Sequence, residues 1–154
     1  MKEDLIIKPL IGFGNLKFGA TKKEVKALIG EPQEVETIEG DEDFSEVEVW
    51  SYWDKGHAVY FEKEFDDRCT NFETDHQDAT LFGKKVFGLT EKQAVALMKE
   101  HGFTDYEAEN EEEWEERRVS FFDAQVDFIF DEGVMVQVSW AVGFDEQEEV
   151  QWPK

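Results

Sequence analysis

Apolar and polar residues alternate along four stretches of the chain, with the two-residue period of a β-strand. The stretches are residues 47–53, 59–65, 126–130 and 134–140. A strand with this pattern buries one face and exposes the other, which is typical of an antiparallel sheet. The acid-glycine turn at residues 131–133 joins the last two stretches as a hairpin. The pattern therefore predicts half-buried antiparallel strands joined by hairpins.

Two short helices are predicted outside these strands. Each begins with a capping box, in which a threonine precedes an acid or amide by three residues: Thr21 with Glu24, and Thr90 with Gln93. Each is apolar on one side only. Glycine is a common helix stop, so we expect the helices to end near Gly30 and Gly102. Such one-sided helices are predicted to lie on the apolar face of the sheet.

The segments around the two helices are similar to each other. Residues 13–31 (FGNLKFGATKKEVKALIGE) and 82–100 (FGKKVFGLTEKQAVALMKE) are identical at 9 of 19 aligned positions without a gap. Chance at average residue usage gives about one identity. We interpret this as a duplication, with repeat 1 at residues 1–75, repeat 2 at 79–142 and an acidic tail at 143–154. The predicted fold class is α+β: two tandem helix-plus-antiparallel-hairpin repeats forming one curved antiparallel sheet of about six to eight strands, with the helices on one face.

The string FGATKKEVKALIGEP, residues 18–32, carries a family resemblance. It resembles the helix and turn of the β-lactamase-inhibitor-protein-like class, which includes the small lipoproteins of the barrel-assembly machinery. The resemblance implies a helix followed by strands ending in an aromatic-rich hairpin. It also implies a sheet whose concave face binds a protein partner. The sequence departs from the class because its first residues predict no leader, it has no lipidation cysteine near residue 1, and its one cysteine, Cys69, allows no cysteine pair.

Charge restricts the function further. The 154 residues carry a net charge of −22, from 38 acids and 16 bases. The first 30 residues have six lysines and three acids, a charge of +3, so the other 124 carry −25. Such a negative field repels nucleic acid and anionic membrane surfaces and attracts basic proteins. The N-terminal sequence predicts no secretory signal, and Cys69 is the one cysteine, so we expect a cytoplasmic protein.

No catalytic or metal-binding motif is apparent. The three histidines are scattered along the chain, at His57, His76 and His101. They form no His-x-x-x-His pair, and no phosphate-binding loop or nucleophile elbow is present. We therefore predict a non-enzymatic protein without cofactor or metal. The alternative is a small enzyme or ligand-binding domain whose site lies between the two repeats.

The candidate partner-binding residues are those that the alternation places on the sheet face away from the helices. They combine carboxylates with large apolar side chains, more than solubility requires. They are Trp50, Tyr52, Tyr60, Glu48, Glu62, Asp127, Ile129, Asp131 and Met135, to which we add Trp114 from the acidic run at residues 103–116. Packing under loops, or formation of a homodimer, would also account for the apolar members. The sequence thus predicts an acidic protein-binding module, with an inhibitor or immunity-type protein neutralising a basic partner as one form.

Overall fold

The computed structural model describes residues 5–42, 45–111 and 116–153. In these residues the chain forms two α-helices, α1 (Lys22–Ile29) and α2 (Glu91–Glu100), and a 3-10 turn at Lys63–Phe65. The strands in chain order are β1 (Ile6–Lys8), β2 (Gly12–Phe13), β3 (Leu16–Lys17), β4 (Glu34–Ile38), β5 (Val47–Tyr52), β6 (His57–Glu62), β7 (Arg68–Thr74), β8 (Thr80–Leu81), β9 (Lys84–Lys85), β10 (Tyr106–Glu111), β11 (Glu116–Phe121), β12 (Val126–Asp131), β13 (Val134–Ala141), β14 (Gly143–Phe144) and β15 (Val150–Gln151).

An eight-stranded antiparallel sheet, which we call the large sheet, dominates the fold. Its order is β10-β11-β12-β13-β7-β6-β5-β4, so each half of the chain supplies four strands and the halves meet where β7 pairs with β13. One row of paired residues crosses all eight strands and is apolar throughout: Val35, Trp50, Val59, Phe72, Trp140, Val126, Phe121 and Tyr106. The six central members of this row are buried. Burial of this row supplies much of the driving force for folding.

Both helices cover the face that carries this apolar row. The amino group of Lys26 in α1 lies 5.4 Å from the ring centroid of Trp50. That of Lys99 in α2 lies 6.0 Å from the ring centroid of Tyr106. Since Trp50 and Tyr106 belong to the same row, α1 and α2 lie on the same side of the large sheet, over β5 and β10 respectively. The opposite side is called the outer face below.

The helix boundaries follow the predicted signals. Both capping boxes form, with Thr21 capping α1 and Thr90 capping α2. The first helix is capped at Gly30, whose φ of 100° suits a residue without Cβ. The second helix ends at Glu100, two residues before Gly102. These local predictions are confirmed.

The predicted fold class is wrong. The described chain is mostly β, with 45% of the described residues in strands and 15% in helices, the 3-10 turn included, and it forms three sheets rather than one curved sheet built from α+β helix-plus-hairpin repeats. A second, five-stranded sheet has the order β3-β2-β1-β8-β9, and β1 pairs in parallel with β8. The segment FGNLKFG, residues 13–19, which precedes α1, contributes Phe13 to β2 and forms β3. Strands of two or three residues are too short to show alternation, which is why the sequence did not predict them.

The segment predicted as an acidic tail folds back on the protein. Its hairpin of β14 and β15 forms the third sheet. Trp152 follows this hairpin in the chain, and its indole packs on Gly19. A Cβ added to Gly19 would lie only 3.1 Å from the indole ring. The ring of Phe65 lies 6.0 Å from that of Trp152, centroid to centroid, and the Arg68 guanidinium is 5.8 Å away. Trp152 is therefore half-buried against its own chain.

Candidate functional site

The outer face of the large sheet carries a row of acids separated by small residues. This row lies one residue along from the apolar row, and it too crosses all eight strands. In sheet order it comprises Glu34, Ser51, Ala58, Glu73, Ser139, Asp127, Ser120 and Glu107, which we call the acid–serine row. Neighbouring strands are about 4.8 Å apart, so Glu73 and Asp127 lie about 10 Å apart across the sheet. Serine and alanine between them leave the carboxylates standing above their neighbours.

Glu73 is the central member of this row and belongs to a hydrogen-bonded group at the β7–β13 pair. The hydroxyl of Tyr60 donates to Glu73 Oε1 at 2.9 Å, and Gln137 Nε2 donates to Oε2 at 3.5 Å. Burial raises the pKa of the Glu73 carboxyl, while the Tyr60 hydrogen bond and the charge of Arg118 oppose this effect. Burial and the neighbouring Glu73 charge also raise the pKa of Tyr60. Glu73 is thus a carboxylate held in place and poorly solvated, able to gain from pairing with a cation.

Arg118 places a positive charge beside this row. Its Nη1 lies 3.7 Å from Asp127 Oδ2, and both side chains are about four-tenths exposed. Nearby, Asn71 Nδ2 donates to the Ser139 hydroxyl at 3.4 Å. The rows on either side add further acids, Glu36 on β4 and Glu109 on β10. The outer face therefore remains negative overall and offers both carboxylates and neutral hydrogen-bonding groups.

Three of the predicted partner-binding residues lie in the core instead. Trp50 is 3% exposed, and its ring centroid lies 4.7 Å from that of Phe61. Tyr52 is buried and donates its hydroxyl to the Gly30 carbonyl at 2.9 Å, and burial raises its pKa to about 12. Met135 is buried as well. Placing these residues on the face away from the helices was wrong.

Glu48 also lies on the helix side of the sheet. Its carboxylate pairs with Lys22 of α1 at 3.1 Å and accepts a hydrogen bond from Trp50 Nε1 at 2.6 Å. Burial acts to raise the pKa of this carboxyl, but the hydrogen bonds from Trp50 and Lys22 outweigh it and hold the pKa below its usual value. Glu48 therefore stabilises the contact between α1 and β5 and is turned away from the outer face.

Two physical effects explain these errors. In β5 both phases of the alternation carry apolar residues, and the larger rings, Trp50 and Tyr52, take the buried side because they remove more apolar area from water. In β13 a bulge shifts the register, since Ile129 pairs with Gln137 but Phe130 pairs with Met135. The extra residue moves Met135 into the core. Sequence alternation alone detects neither effect.

The remaining predicted partner-binding residues lie on the outer face, at the end of a strand, or outside the described residues. Tyr60, Glu62, Asp127 and Ile129 belong to the outer face by strand register. Ile129 is nevertheless buried, at 6% exposure, so its prediction as an exposed contact was wrong. Asp131 ends β12 and is exposed. Trp114 lies outside the described residues. Strand β7 was not predicted from the sequence, although its alternation is visible there: Phe72 and Thr74 are buried, and Asn71 and Glu73 lie on the outer face.

The histidines do not form a recognisable catalytic group. His57 is buried, with its Nδ1 2.8 Å from Thr74 Oγ1, and its ring centroid lies 5.8 Å from that of His76. His101 stacks on Phe82 at 3.8 Å between centroids. Among the residues that the structure describes, no group of three or more His, Cys, Asp or Glu side chains is placed to hold a metal ion.

Comparisons with known proteins do not identify a family. No protein-family model matches the chain, and no curated protein matches it. Among solved structures, it is similar to the 1.5 Å crystal structure of an extracellular protein containing a SCP domain from Bacillus anthracis str. Ames, with 12% sequence identity and a TM-score of 0.48. The match covers 89% of this chain and 49% of the other, so the chain spans about half the length of that protein. At this level of similarity the match supports no conclusion about function.

The resemblance to the β-lactamase-inhibitor-protein-like class is therefore corrected. No comparison supports it, and three sheets with two helices are not the tandem helix-plus-hairpin repeats that it implies. The motif on which it rested marks a capped helix end, which many unrelated folds share. Separately, neither helix of the described chain is long and apolar enough to cross a membrane.

The burial of Glu73 leads to a prediction about stability. The folded pKa of Glu73 is raised, so its contribution to stability is present below the unfolded pKa and is lost as the pH rises through the folded value. Glu73→Gln removes this titration and keeps an oxygen for Tyr60. We expect Glu73→Gln to raise the melting temperature at pH 7 by about 2–4 °C and to raise it less at pH 4. Calorimetry at both pH values measures the difference.

The control is Glu107→Gln, which removes one charge from an exposed position of the same row. It separates the local effect from the general relief of a net charge of −22. A Glu73→Gln protein that is no more stable than the Glu107→Gln protein at pH 7 would contradict the burial argument.

Proposed function

We propose that the protein is a non-catalytic module that binds a basic protein partner through the outer face of its large sheet. The acid–serine row carries this proposal. Four carboxylates cross the sheet in one line, and the residues between them are small enough for lysine and arginine side chains of a partner to reach the acids. Complementary charge of this kind speeds association and selects against acidic partners.

The charge of the whole chain supports the same partner class. A net charge of −22 on 154 residues creates a negative field well beyond the sheet. An inhibitor or immunity-type protein that covers the basic cleft of an enzyme is one form of this proposal, because carboxylates can occupy positions that phosphates take in such clefts. A cytoplasmic location is part of the proposal and is supported by a single, buried cysteine.

The test is capture of partners from lysate on the immobilised protein at increasing salt concentration. We expect the captured proteins to be basic and to elute as salt rises, because screening at about 1 M reduces the range of charge interactions to about 3 Å. Mass spectrometry identifies the partners and their charge. A gene for a basic enzyme next to the gene of this protein would support the inhibitor form.

Two controls make the result specific. An unrelated protein of similar negative charge, immobilised at equal density, measures capture by charge alone. Light scattering of the free protein tests for a homodimer that would cover the outer face. Captured proteins of average charge, or capture that salt does not change, would contradict the proposal.

A further inference from the structure

A groove lies at one end of the outer face, between the large sheet and the β14–β15 hairpin. It has a volume of about 250 Å³. Its walls come from four strands of the sheet, β5, β6, β7 and β13, and from β14 of the hairpin. The lining residues used below are Tyr60, Glu62, Thr70, Asn71 and Phe144. The groove opens on the same face as the acid–serine row, so a partner lying on that row could place a side chain in it.

Two aromatic rings shape this groove. Tyr60 is fixed in place because its hydroxyl donates to Glu73 at 2.9 Å. Phe144 stands opposite on the hairpin and is 44% exposed, although its ring also lies 6.3 Å from that of Phe65, centroid to centroid. A ring with this exposure is accessible to a ligand in the groove.

The polar lining of the groove is acidic and neutral. Glu62 supplies a carboxylate, and no ion pair engages it within residues 5–42, 45–111 and 116–153. Asn71 supplies an amide oxygen, and Thr70 is a buried residue with a hydroxyl. The groove therefore combines two aromatic rings, one carboxylate and neutral acceptors.

We propose that this groove binds an arginine side chain of the basic partner, an inference that rests on the proposed function. A guanidinium is flat, weakly hydrated and able to stack on aromatic rings while it donates to a carboxylate. A lysine ammonium is compact and strongly hydrated, so it gains less from Tyr60 and Phe144. The acid–serine row attracts both residue types, whereas the groove prefers arginine.

The experiment compares two peptides, hexa-arginine and hexa-lysine, by isothermal titration calorimetry at one ionic strength. We expect both peptides to bind, with hexa-arginine tighter by about three- to tenfold because of the added stacking. Phe144→Ala and Glu62→Gln are each expected to reduce this preference to less than about twofold while leaving hexa-lysine binding nearly unchanged.

Matched variants control for lost packing and lost charge. Phe122→Ala removes an aromatic ring of similar exposure from the β11–β12 turn, and Glu100→Gln removes one exposed carboxylate from the end of α2. Both are expected to keep the arginine preference. Thermal unfolding shows whether Phe144→Ala retains the fold, and Glu62→Gln tests the same groove without removing a ring.

The outcomes separate the two proposals. Equal binding of the peptides, or a preference that survives both Phe144→Ala and Glu62→Gln, overturns the arginine groove and leaves the acidic binding face standing. Absence of binding by both peptides overturns the proposed function, and the groove with it. A preference lost in the two groove variants and kept in the two controls supports the inference.

Discussion

Trp140→Ala is expected to lower the free energy of unfolding by about 3–5 kcal/mol, the range typical of a buried tryptophan. Trp140 is 1% exposed and lies in the middle of the apolar row. Its ring centroid is 5.1 Å from that of Phe13 and 5.7 Å from that of Phe72. Its Nε1 donates to the Gly12 carbonyl at 2.9 Å. Because Gly12 and Phe13 form β2, the side chain joins the five-stranded sheet to the large sheet.

Urea unfolding followed by circular dichroism measures this loss. The control is Trp53→Ala, since Trp53 is 68% exposed and its removal is expected to cost less than about 0.5 kcal/mol. Trp140→Phe tests the hydrogen bond, because it keeps most of the ring and loses the donor to Gly12. A cost for Trp140→Ala close to that of Trp53→Ala would show that the two sheets do not depend on this contact.

Reversing two charges of the acid–serine row is expected to weaken binding of the hexa-lysine peptide about 10- to 100-fold. The double variant Asp127→Lys with Glu107→Lys changes two of the four carboxylates in the row, and it also places a lysine beside Arg118. The two introduced lysines have the same charge as the peptide and would repel it where it lies on the sheet surface. Fluorescence anisotropy of a labelled peptide, measured at several salt concentrations, gives the affinity and its salt dependence.

A matched variant distinguishes position from total charge. Glu100→Lys with Asp123→Lys changes the net charge equally but alters exposed residues at a helix end and a turn, away from the row. We expect it to weaken binding less than about threefold, since neither position belongs to the row and salt screens the interaction of exposed charges increasingly with distance. Equal effects of the two double variants would mean that the peptide responds to overall charge and that the outer face is not a site.

Local sequence signals predicted much of the secondary structure. The capping boxes at Thr21 and Thr90 depend on contacts three residues apart, so they form wherever the helices form. The alternation at residues 126–130 predicted β12, and the acid-glycine turn after it predicted the hairpin to β13. These features are set within a few residues of chain, which is why sequence reasoning reaches them.

The fold class and part of the site could not be reached in this way. Strands β1 and β8 pair across more than 70 residues, and neither is long enough to show a period. The side taken by Trp50 depends on packing under α1, and the side taken by Met135 depends on a bulge opposite Phe130. In each case the deciding contact is distant in sequence. Periodicity identified strands there but not the face that each side chain occupies.

By itself, the sequence determined the net negative charge, the capped helices and the longer strands, because these follow from composition and from neighbours along the chain. The tertiary structure alone decided which carboxylates stand together. Glu34, Glu73, Asp127 and Glu107 form one row only because eight strands from both halves pair in a single register. Pairing between strands relates residues that the chain order keeps far apart, and the binding face is a product of that register.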